Sequence, residues 1–224
     1  MPNIVNPPWP LACVVLLMGI ALGPTLDAMA RRSLASADDV WQRRGLATGV
    51  LAGLTGALVI VLAPQANLIP AWCGLALVGT VIVRTDLATH RIPDSLTGAS
   101  LLMGAGLLLV PWDMAAYGRG WLGALALTSV FLILGLIGPT GLGMGDVKLA
   151  PALGLYLAYL GWDELVVGVF SGFVAAAIVG IVVVIRQGRA RGSAAQTSMG
   201  AALHRALPFG PFLLLGAVIG LAVA

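Results

Sequence analysis

Two aspartates, Asp86 and Asp146, stand where hydrophobic stretches of the chain meet short loops. Asp86 lies in the run RTDLATHRIPD at 84–94, and Asp146 lies in the run GLGMGDVK at 141–148. A charged side chain at the centre of a membrane helix costs about 2.5–3.5 kcal/mol on insertion scales. Two carboxylates held at similar depth therefore predict acid–base chemistry inside a membrane or at its edge.

Peptide hydrolysis is the chemistry that suits such a pair. The ionised carboxylate takes a proton from water while the protonated one gives a proton to the carbonyl oxygen. Like charges placed close together cannot both ionise cheaply, so a close pair shares one proton in the neutral range. The two aspartates are 60 residues apart in the sequence, so only tertiary packing could bring them together. The sequence leaves open which of them holds the shared proton.

Helix breakers accompany both aspartates. Pro93 follows Asp86 and stops a continuing helix, while glycines at alternate positions precede Asp146 and permit tight bends. The alternative hypothesis is that both are interfacial helix caps, because Asp is a good N-cap. The presence of both aspartates on one side of the membrane, each beside a breaker, favours a functional role.

The composition indicates a membrane protein. The chain is 59% hydrophobic and 9% charged, with a mean hydropathy of +1.01, whereas soluble domains carry about 25% charged residues. Glycine pairs such as Gly168/Gly172 are predicted to pack membrane helices closely. Cys13 and Cys73 lack the spacing of a metal or redox site, and no cofactor is predicted. The net charge of +3 comes from scattered basic residues, so nucleic acid is not a predicted partner.

Eight apolar segments are candidates to cross a bilayer, whose core of about 30 Å needs about 20 residues per helix. They lie at 9–29, 46–63, 67–85, 95–111, 120–138, 148–161, 164–186 and 206–224. Because the linkers are mostly short, we predict one all-α, polytopic membrane helix bundle that forms a single domain over residues 1–224. The basic linker at 186–205 is expected to contact anionic lipid.

The basic residues predict the orientation of this bundle. With the N-terminus outside, eleven of the twelve Lys and Arg residues fall on the inside and only Arg119 falls outside, as the positive-inside rule requires. Both termini are then outside, and Asp86 and Asp146 share the cytoplasmic side. Arg31 and Arg32 follow the first apolar run instead of preceding it, which predicts a retained helix and not a cleaved signal peptide.

Several segments of the chain resemble, in order, motifs of the prepilin peptidases, the type IV leader peptidases among the GxGD intramembrane aspartic proteases. The resemblance runs from about residue 20 to the C-terminus. The segments are GPTLD at 23–27 (a degenerate first-helix ending), Asp86 with the trailing IPD at 92–94, GMGDVK at 143–148 and PFGPFL at 208–213.

This resemblance implies an enzyme of the bacterial cytoplasmic membrane that removes a basic leader from type IV prepilins or pseudopilins. The cut falls at the cytoplasmic face, after a glycine and before the hydrophobic helix of the substrate. Asp86 and Asp146 become the catalytic pair. The supporting residues are Gly143, Gly145, Lys148, Asp94, Pro208, Gly210 and Pro211.

The supporting residues carry alternatives that the sequence leaves open. Lys148 either biases the pKa values of the pair or is a snorkelling interfacial lysine. Asp94 is expected to cap the fourth span and not to act as a catalyst. The segment from Pro208 to Pro211 either seats the substrate or begins a helix, where proline is common.

The chain departs from longer members of the family between its first two spans. Those members carry a cytoplasmic domain there with paired CxxC motifs that bind zinc, whereas the interval at 31–45 contains no cysteine. We therefore expect a short form without structural zinc. The longer enzymes also N-methylate the new amino terminus with S-adenosylmethionine, but no residue of this chain points to a site for that donor.

Two other functions fit parts of the sequence. A small proton- or cation-coupled secondary transporter also uses intramembrane carboxylates and glycine-interrupted helices. Its coupling site should lie near the midplane, whereas both aspartates fall at the cytoplasmic ends of predicted spans. An inactive scaffold for an assembly machine would tolerate the loss of either aspartate.

Overall fold

All regular structure in the described part of the chain is helical, as the sequence predicts. The computed structural model describes residues 45–137, 142–190 and 208–224, together with five single helical positions, 13, 17, 21, 25 and 28. The helices of the three continuous ranges are α1 (Gly45–Leu62), α2 (Ile69–Thr89), α3 (Asp94–Leu107), α4 (Met114–Ile137), α5 (Met144–Leu160), α6 (Trp162–Ala190) and α7 (Gly210–Val223). A 3-10 turn at Ala66–Leu68 leads into α2.

Each predicted segment from 46–63 onward coincides with one of these helices. Three stretches are long and apolar enough to cross a membrane, namely Ala66–Thr89, Met114–Ile137 and Trp162–Arg186. The chain is therefore a multi-pass membrane protein by helix length and composition. The count of eight spans and the outside location of both termini stay predictions, because α1, α3, α5 and α7 are shorter than about 20 residues. Most of the segment at 9–29, the interval at 31–44 and the linker from 191 onward lie outside the described residues.

Local sequence explains where several helices begin. Prolines occupy the first turns of α2 and α7, where the missing N–H is not needed. At the start of α4, Asp113 Oδ1 accepts a hydrogen bond of 2.9 Å from the backbone N–H of Ala116, the usual contribution of an aspartate cap.

Glycines let two pairs of helices pack closely. In the pair of α4 and α5, a Cβ atom on Gly123 would lie only 2.8 Å from the carbonyl oxygen of Gly154. In the pair of α6 and α7, a Cβ on Gly168 would lie 3.1 Å from the Gly216 oxygen, and one on Gly172 would lie 2.8 Å from the Phe212 oxygen. The predicted packing role of Gly168 and Gly172 is thus confirmed.

Helix α5 occupies the centre of the described bundle and contacts α3, α4, α6 and α7. It also meets α2 through Tyr156, whose ring lies edge-on to Trp72 with 5.4 Å between centroids. Both rings are fully buried. Because α2 carries Asp86 and α5 carries Asp146, this contact links the two helices that must hold the aspartates.

Candidate active site

Asp86 lies in the last turn of α2. The predicted span ended at residue 85, whereas the helix continues to Thr89, so Asp86 lies inside the last turn, close to the end of the span where it was expected. His90 ends the helix in the left-handed conformation, with φ 52° and ψ 34°, and its N–H donates a 2.8 Å bond to the Asp86 carbonyl oxygen. The carboxylate is therefore mounted on a regular helix turn.

Asp146 is the third residue of α5. The N-cap is Gly143, so the alternative that Asp146 is itself an N-cap is wrong. Its carboxylate folds back over the start of the helix, where a Cβ on Gly143 would lie 3.0 Å from Asp146 Oδ2. Glycine at this position leaves room for the carboxylate, in keeping with the predicted glycine-rich approach to Asp146.

The two carboxylates line the same cavity, which has a volume of about 710 Å³. Asp86 is 5% exposed and Asp146 is 6% exposed, so protein atoms cover most of both side chains. Residues 60 positions apart in the sequence are thus brought to one site. The arrangement provides what acid–base chemistry on a bound molecule needs, which is two carboxyl groups that line one cavity.

The start of α7 completes the surroundings of Asp86. The backbone N–H of Gly210 donates a buried hydrogen bond of 2.9 Å to Asp86 Oδ2. Pro211 stands in the first turn of α7, so the prediction that this segment begins a helix is confirmed. Pro208 lines the cavity. A helix N-terminus carries partial positive charge, so α7 directs a favourable field at the carboxylate.

Lys148 and Asp94 form an ion pair with each other. Lys148 Nζ lies 2.6 Å from Asp94 Oδ1, and the side chains are 44% and 74% exposed respectively. The expectation that Asp94 caps its helix is corrected, because the N-cap of α3 is Pro93 and no side-chain cap bond is formed. The lysine therefore ties the start of α5 to the start of α3.

The charge state of Asp146 follows from its burial. This residue lies outside the three candidate spans and before the predicted span at 148–161. Desolvation by burial, together with the negative charge of Asp86, raises its pKa to about 7, even though the hydrogen bond from the backbone N–H of Gly143 acts to lower it. A carboxyl group with a pKa near 7 exchanges its proton at neutral pH, which suits a group that both accepts and donates protons.

One face of α6 forms the apolar wall of the cavity. The lining residues recur at helical spacing and are Phe173, Ala176, Ala177, Gly180, Ile181, Val184 and Ile185. Phe173 also stacks on Phe209, with 4.9 Å between ring centroids. Phe209 and Ile92 lie in the motifs at 208–213 and 92–94, but no individual role was predicted for either of them or for His90. For His90 the four-residue spacing from Asp86 was the available signal, since it places both on one helix face.

Metal ligands do not cluster in the described part of the chain. Across residues 45–137, 142–190 and 208–224, no group of three or more His, Cys, Asp and Glu side chains is placed to hold a metal ion. The expectation that the protein works without zinc stays a prediction.

Comparison with known proteins covers the part of the chain that holds both aspartates. Residues 73–181 match the type IV leader peptidase family. A prepilin leader peptidase/N-methyltransferase of Burkholderia pseudomallei (strain 1026b) is 36% identical over 177 residues, which are 76% of this chain and 50% of that protein. A protein of the same name from Klebsiella pneumoniae is 38% identical over 54% of this chain and 51% of its own length. Another, from Aeromonas salmonicida (strain A449), is 31% identical over 75% of this chain and 55% of its own length. The chain thus spans about half the length of the curated relatives it matches. No solved structure gave a significant match.

Proposed function

The chain belongs, through residues 73–181, to the type IV leader peptidase family, and we propose that it is an aspartic endopeptidase of prepilins or pseudopilins. The observation that carries this proposal is the pair of buried carboxylates, Asp86 and Asp146, on one cavity of about 710 Å³. The relatives named above are prepilin leader peptidases, which supports a prepilin as the substrate. The bond to be cut lies between the basic leader and the hydrophobic helix, at the cytoplasmic face of the inner membrane.

Hydrolysis at this pair uses one water molecule and one shared proton. The ionised carboxylate removes a proton from the water as its oxygen attacks the peptide carbonyl carbon, and the protonated carboxyl gives its proton to the carbonyl oxygen. When the resulting tetrahedral intermediate collapses, the C–N bond breaks and the nitrogen leaves with a proton from the pair. The products are the leader with a free carboxyl end and the mature chain with a free amino end.

Two features of the site support this division of labour. Asp86 Oδ2 accepts the N–H of Gly210, an interaction that is stronger when the acceptor is ionised. Asp146, with its pKa raised to about 7 by burial, is the better holder of the shared proton. The pair still titrates as a unit, so its pH–rate profile reports apparent values for both groups together.

The position of the site supports a peptidase over an ion-coupled transporter. Asp86 is in the last turn of α2, Asp146 is in the first turn of α5, and Gly210 begins α7. The carboxylates therefore lie where helices end, on the side that the basic residues predict to be cytoplasmic. A flexible leader can reach a site at the ends of helices, whereas a coupling site is expected between helix middles.

The wider assignments complete the proposal. We place the protein in the bacterial cytoplasmic membrane as one multi-pass domain over residues 1–224, with eight spans, both termini outside and lipid around it. Its substrates would serve a type IV pilus or a type II secretion system. The proposal covers peptide hydrolysis and needs no cofactor; N-methylation of the product forms no part of it.

A cleavage assay with a tagged full-length prepilin in membranes tests the function. We expect wild type to release the leader, and Asp86→Asn or Asp146→Asn to lower the rate by at least about 1,000-fold, since an amide can neither accept nor deliver the proton. Asp163→Asn is the matched control, because Asp163 is an exposed acid in the first turn of α6 and does not line the cavity. Cleavage that survives in either dyad variant would contradict the mechanism.

A further inference from the structure

Ile92 lies between the two helix starts that surround the aspartates. Its side chain is 7% exposed. On one side, a Cβ atom on Gly145 would lie 3.1 Å from Ile92 Cβ and 3.2 Å from Cγ1. On the other side, a Cβ on Gly210 would lie 3.2 Å from Ile92 Cδ1. One side chain therefore contacts the residue before Asp146 and the residue whose N–H bonds to Asp86.

The chain around Ile92 is held in place on both flanks. Before it, His90 ends α2 in the left-handed conformation, with its N–H bonded to the carbonyl oxygen of Asp86. After it, Pro93 has a ring-fixed φ of −64° and begins α3. The ion pair between Asp94 and Lys148 then fastens the start of α3 to α5. Ile92 thus projects from a short connection with little freedom.

We propose that Ile92 is a positioning residue that sets the separation of Asp86 and Asp146. Protein interiors are packed too densely for facing groups to move independently, so a side chain wedged between the starts of α5 and α7 fixes how near those starts come. The separation of two carboxylates determines how strongly they share a proton and whether a water fits between them. This inference rests on the proposed function, because it assigns Ile92 a task in that same reaction.

Two substitutions shorten the side chain of Ile92 to different extents. Ile92→Val removes the Cδ1 methyl that faces Gly210 and keeps the atoms that face Gly145, so we expect kcat to fall by about tenfold or less. Ile92→Ala removes the contact with Gly210 and the Cγ1 part of the contact with Gly145, leaving only Cβ there. We expect kcat to fall by about 100-fold with KM changed by less than about twofold, since a small misplacement of reacting groups costs that much. The apparent pKa values of the two limbs of the pH–rate profile should move apart as the carboxylates come together.

A compensating pair of substitutions keeps the proposal testable if one variant folds poorly. Gly145→Ala adds a methyl against Ile92 and overpacks the junction. In Gly145→Ala/Ile92→Ala the added methyl no longer meets Ile92 Cγ1 and can move into the space that the smaller side chain leaves, although Cβ and the backbone N of residue 92 stay close to it. We therefore expect the double variant to be at least about tenfold more active than the product of the two single effects predicts, which is the coupling that residues in contact show.

The controls separate positioning from general packing and from other titrating groups. Ile60→Ala removes a side chain of the same type that is 3% exposed on α1, so it should lower the apparent Tm while leaving kcat and both limbs unchanged. His90 lines the same cavity, and the ion pair of Asp94 and Lys148 joins the starts of α3 and α5. The Ile92 variants are therefore also measured in the background of His90→Asn, since asparagine tolerates the left-handed conformation at this position. All measurements are made at two ionic strengths to test the influence of the ion pair.

Each outcome decides the matter. The positioning role of Ile92 is supported if Ile92→Ala has a lower kcat and a shifted pH–rate profile, and if its effect is coupled positively to that of Gly145→Ala. The proposal would be overturned if Ile92→Ala kept the wild-type kcat and pH–rate profile, or if the effects of Ile92→Ala and Gly145→Ala were additive. It would also be overturned if Ile60→Ala shifted the pH–rate profile as much as Ile92→Ala does. If wild type and Asp146→Asn cleave the prepilin equally, the proposed function has failed. If wild type cleaves, Asp146→Asn does not, and the Ile92 variants show no effect, then only the positioning role of Ile92 is refuted.

Discussion

The two ends of α5 treat polar groups in opposite ways. At the C-terminal end, Arg119 on α4 donates to the carbonyl oxygens of Ala158, Tyr159 and Leu160 at 2.7, 2.6 and 3.0 Å. The Leu157 oxygen accepts the N–H of Gly161 at 3.2 Å. All four of the last carbonyls, which a helix leaves without internal partners, therefore have donors.

At the N-terminal end of the same helix, a carboxyl group is buried against a second carboxyl group. Asp146 and Asp86 share a cavity, and the charge of one raises the pKa of the other. Such an arrangement is unfavourable for folding, because buried like charges repel. The Arg119 end therefore stabilises the bundle, while the aspartate end carries an unfavourable arrangement, which is the trade of stability for activity that the proposed function predicts.

The same contrast explains the one exception to the charge bias. Arg119 is the only basic residue predicted to lie outside, and its guanidinium is committed to the end of α5. A cation at a helix C-terminus is favourable both for hydrogen bonding and for the helix dipole. A structural requirement therefore accounts for a basic residue where the positive-inside rule would not place one.

Asp146→Asn should reduce the difference between the two ends of α5 the most, because it makes the aspartate end more stable and also inactive. A carboxyl whose pKa rises from 3.8 to about 7 on folding binds more protons when folded than when unfolded. The stability it contributes is complete below pH 3.8 and is lost as the pH rises through about 7. At about 1.4 kcal/mol per pKa unit, the loss is on the order of 4 kcal/mol.

The measurement is the apparent Tm in detergent from pH 4 to pH 8. We expect the wild-type Tm to fall across this window and the Asp146→Asn Tm to fall less, since the buried Asp86 remains, so that the inactive variant is the more stable one at pH 8. Asp163→Asn should follow wild type. A wild-type slope in Asp146→Asn would show that Asp146 does not titrate on unfolding.

Gly210→Ala should disturb the aspartate end without removing a carboxylate. The added Cβ would lie 2.8 Å from Asp86 Oδ2, where the carboxylate now accepts a hydrogen bond, so Asp86 must move. We expect kcat/KM to fall by about 100-fold, as for other small misplacements of catalytic groups. The control is Gly98→Ala, since a Cβ on Gly98 meets nothing within 4 Å. Equal activity of the two variants would mean that Asp86 tolerates the shift.

Arg119→Met should weaken the other end without affecting the chemistry. Methionine keeps an apolar stem but leaves three carbonyls without their donor, and a hydrogen bond to a charged group contributes about 1.5–3 kcal/mol. We expect a lower apparent Tm and an unchanged cleavage rate per folded molecule. Arg186→Met, at the exposed end of α6, should leave both unchanged. A large loss of kcat in Arg119→Met would mean that the two ends of α5 are coupled.

The sequence could predict the features that depend on local pattern. Apolar runs located seven helices of the described ranges, and the breakers beside Asp86 and Asp146 indicated where the chain turns. The end of α2 was missed because three successive polar residues, Arg84, Thr85 and Asp86, interrupt the apolar run that marked the span, although all three are buried in the bundle. Contacts between distant elements were also missed, such as Arg119 with α5 and Ile92 with Gly145, because no periodicity encodes which side chains meet across the bundle.

The smallest effect is expected at the ion pair between Asp94 and Lys148, which stands beside the aspartate end and is largely exposed. Exposed pairs contribute about 0–1 kcal/mol, so Lys148→Ala or Asp94→Asn should lower kcat/KM by less than about fivefold. The charge-reversed double variant Asp94→Lys/Lys148→Asp should recover most of that loss at low salt, and the coupling should vanish at high ionic strength, where screening shortens the reach of surface charges. A loss of kcat/KM in Lys148→Ala as large as that in Asp146→Asn would instead mean that the lysine acts directly on the two aspartates. The reactive part of α5 would then extend from Asp146 as far as Lys148.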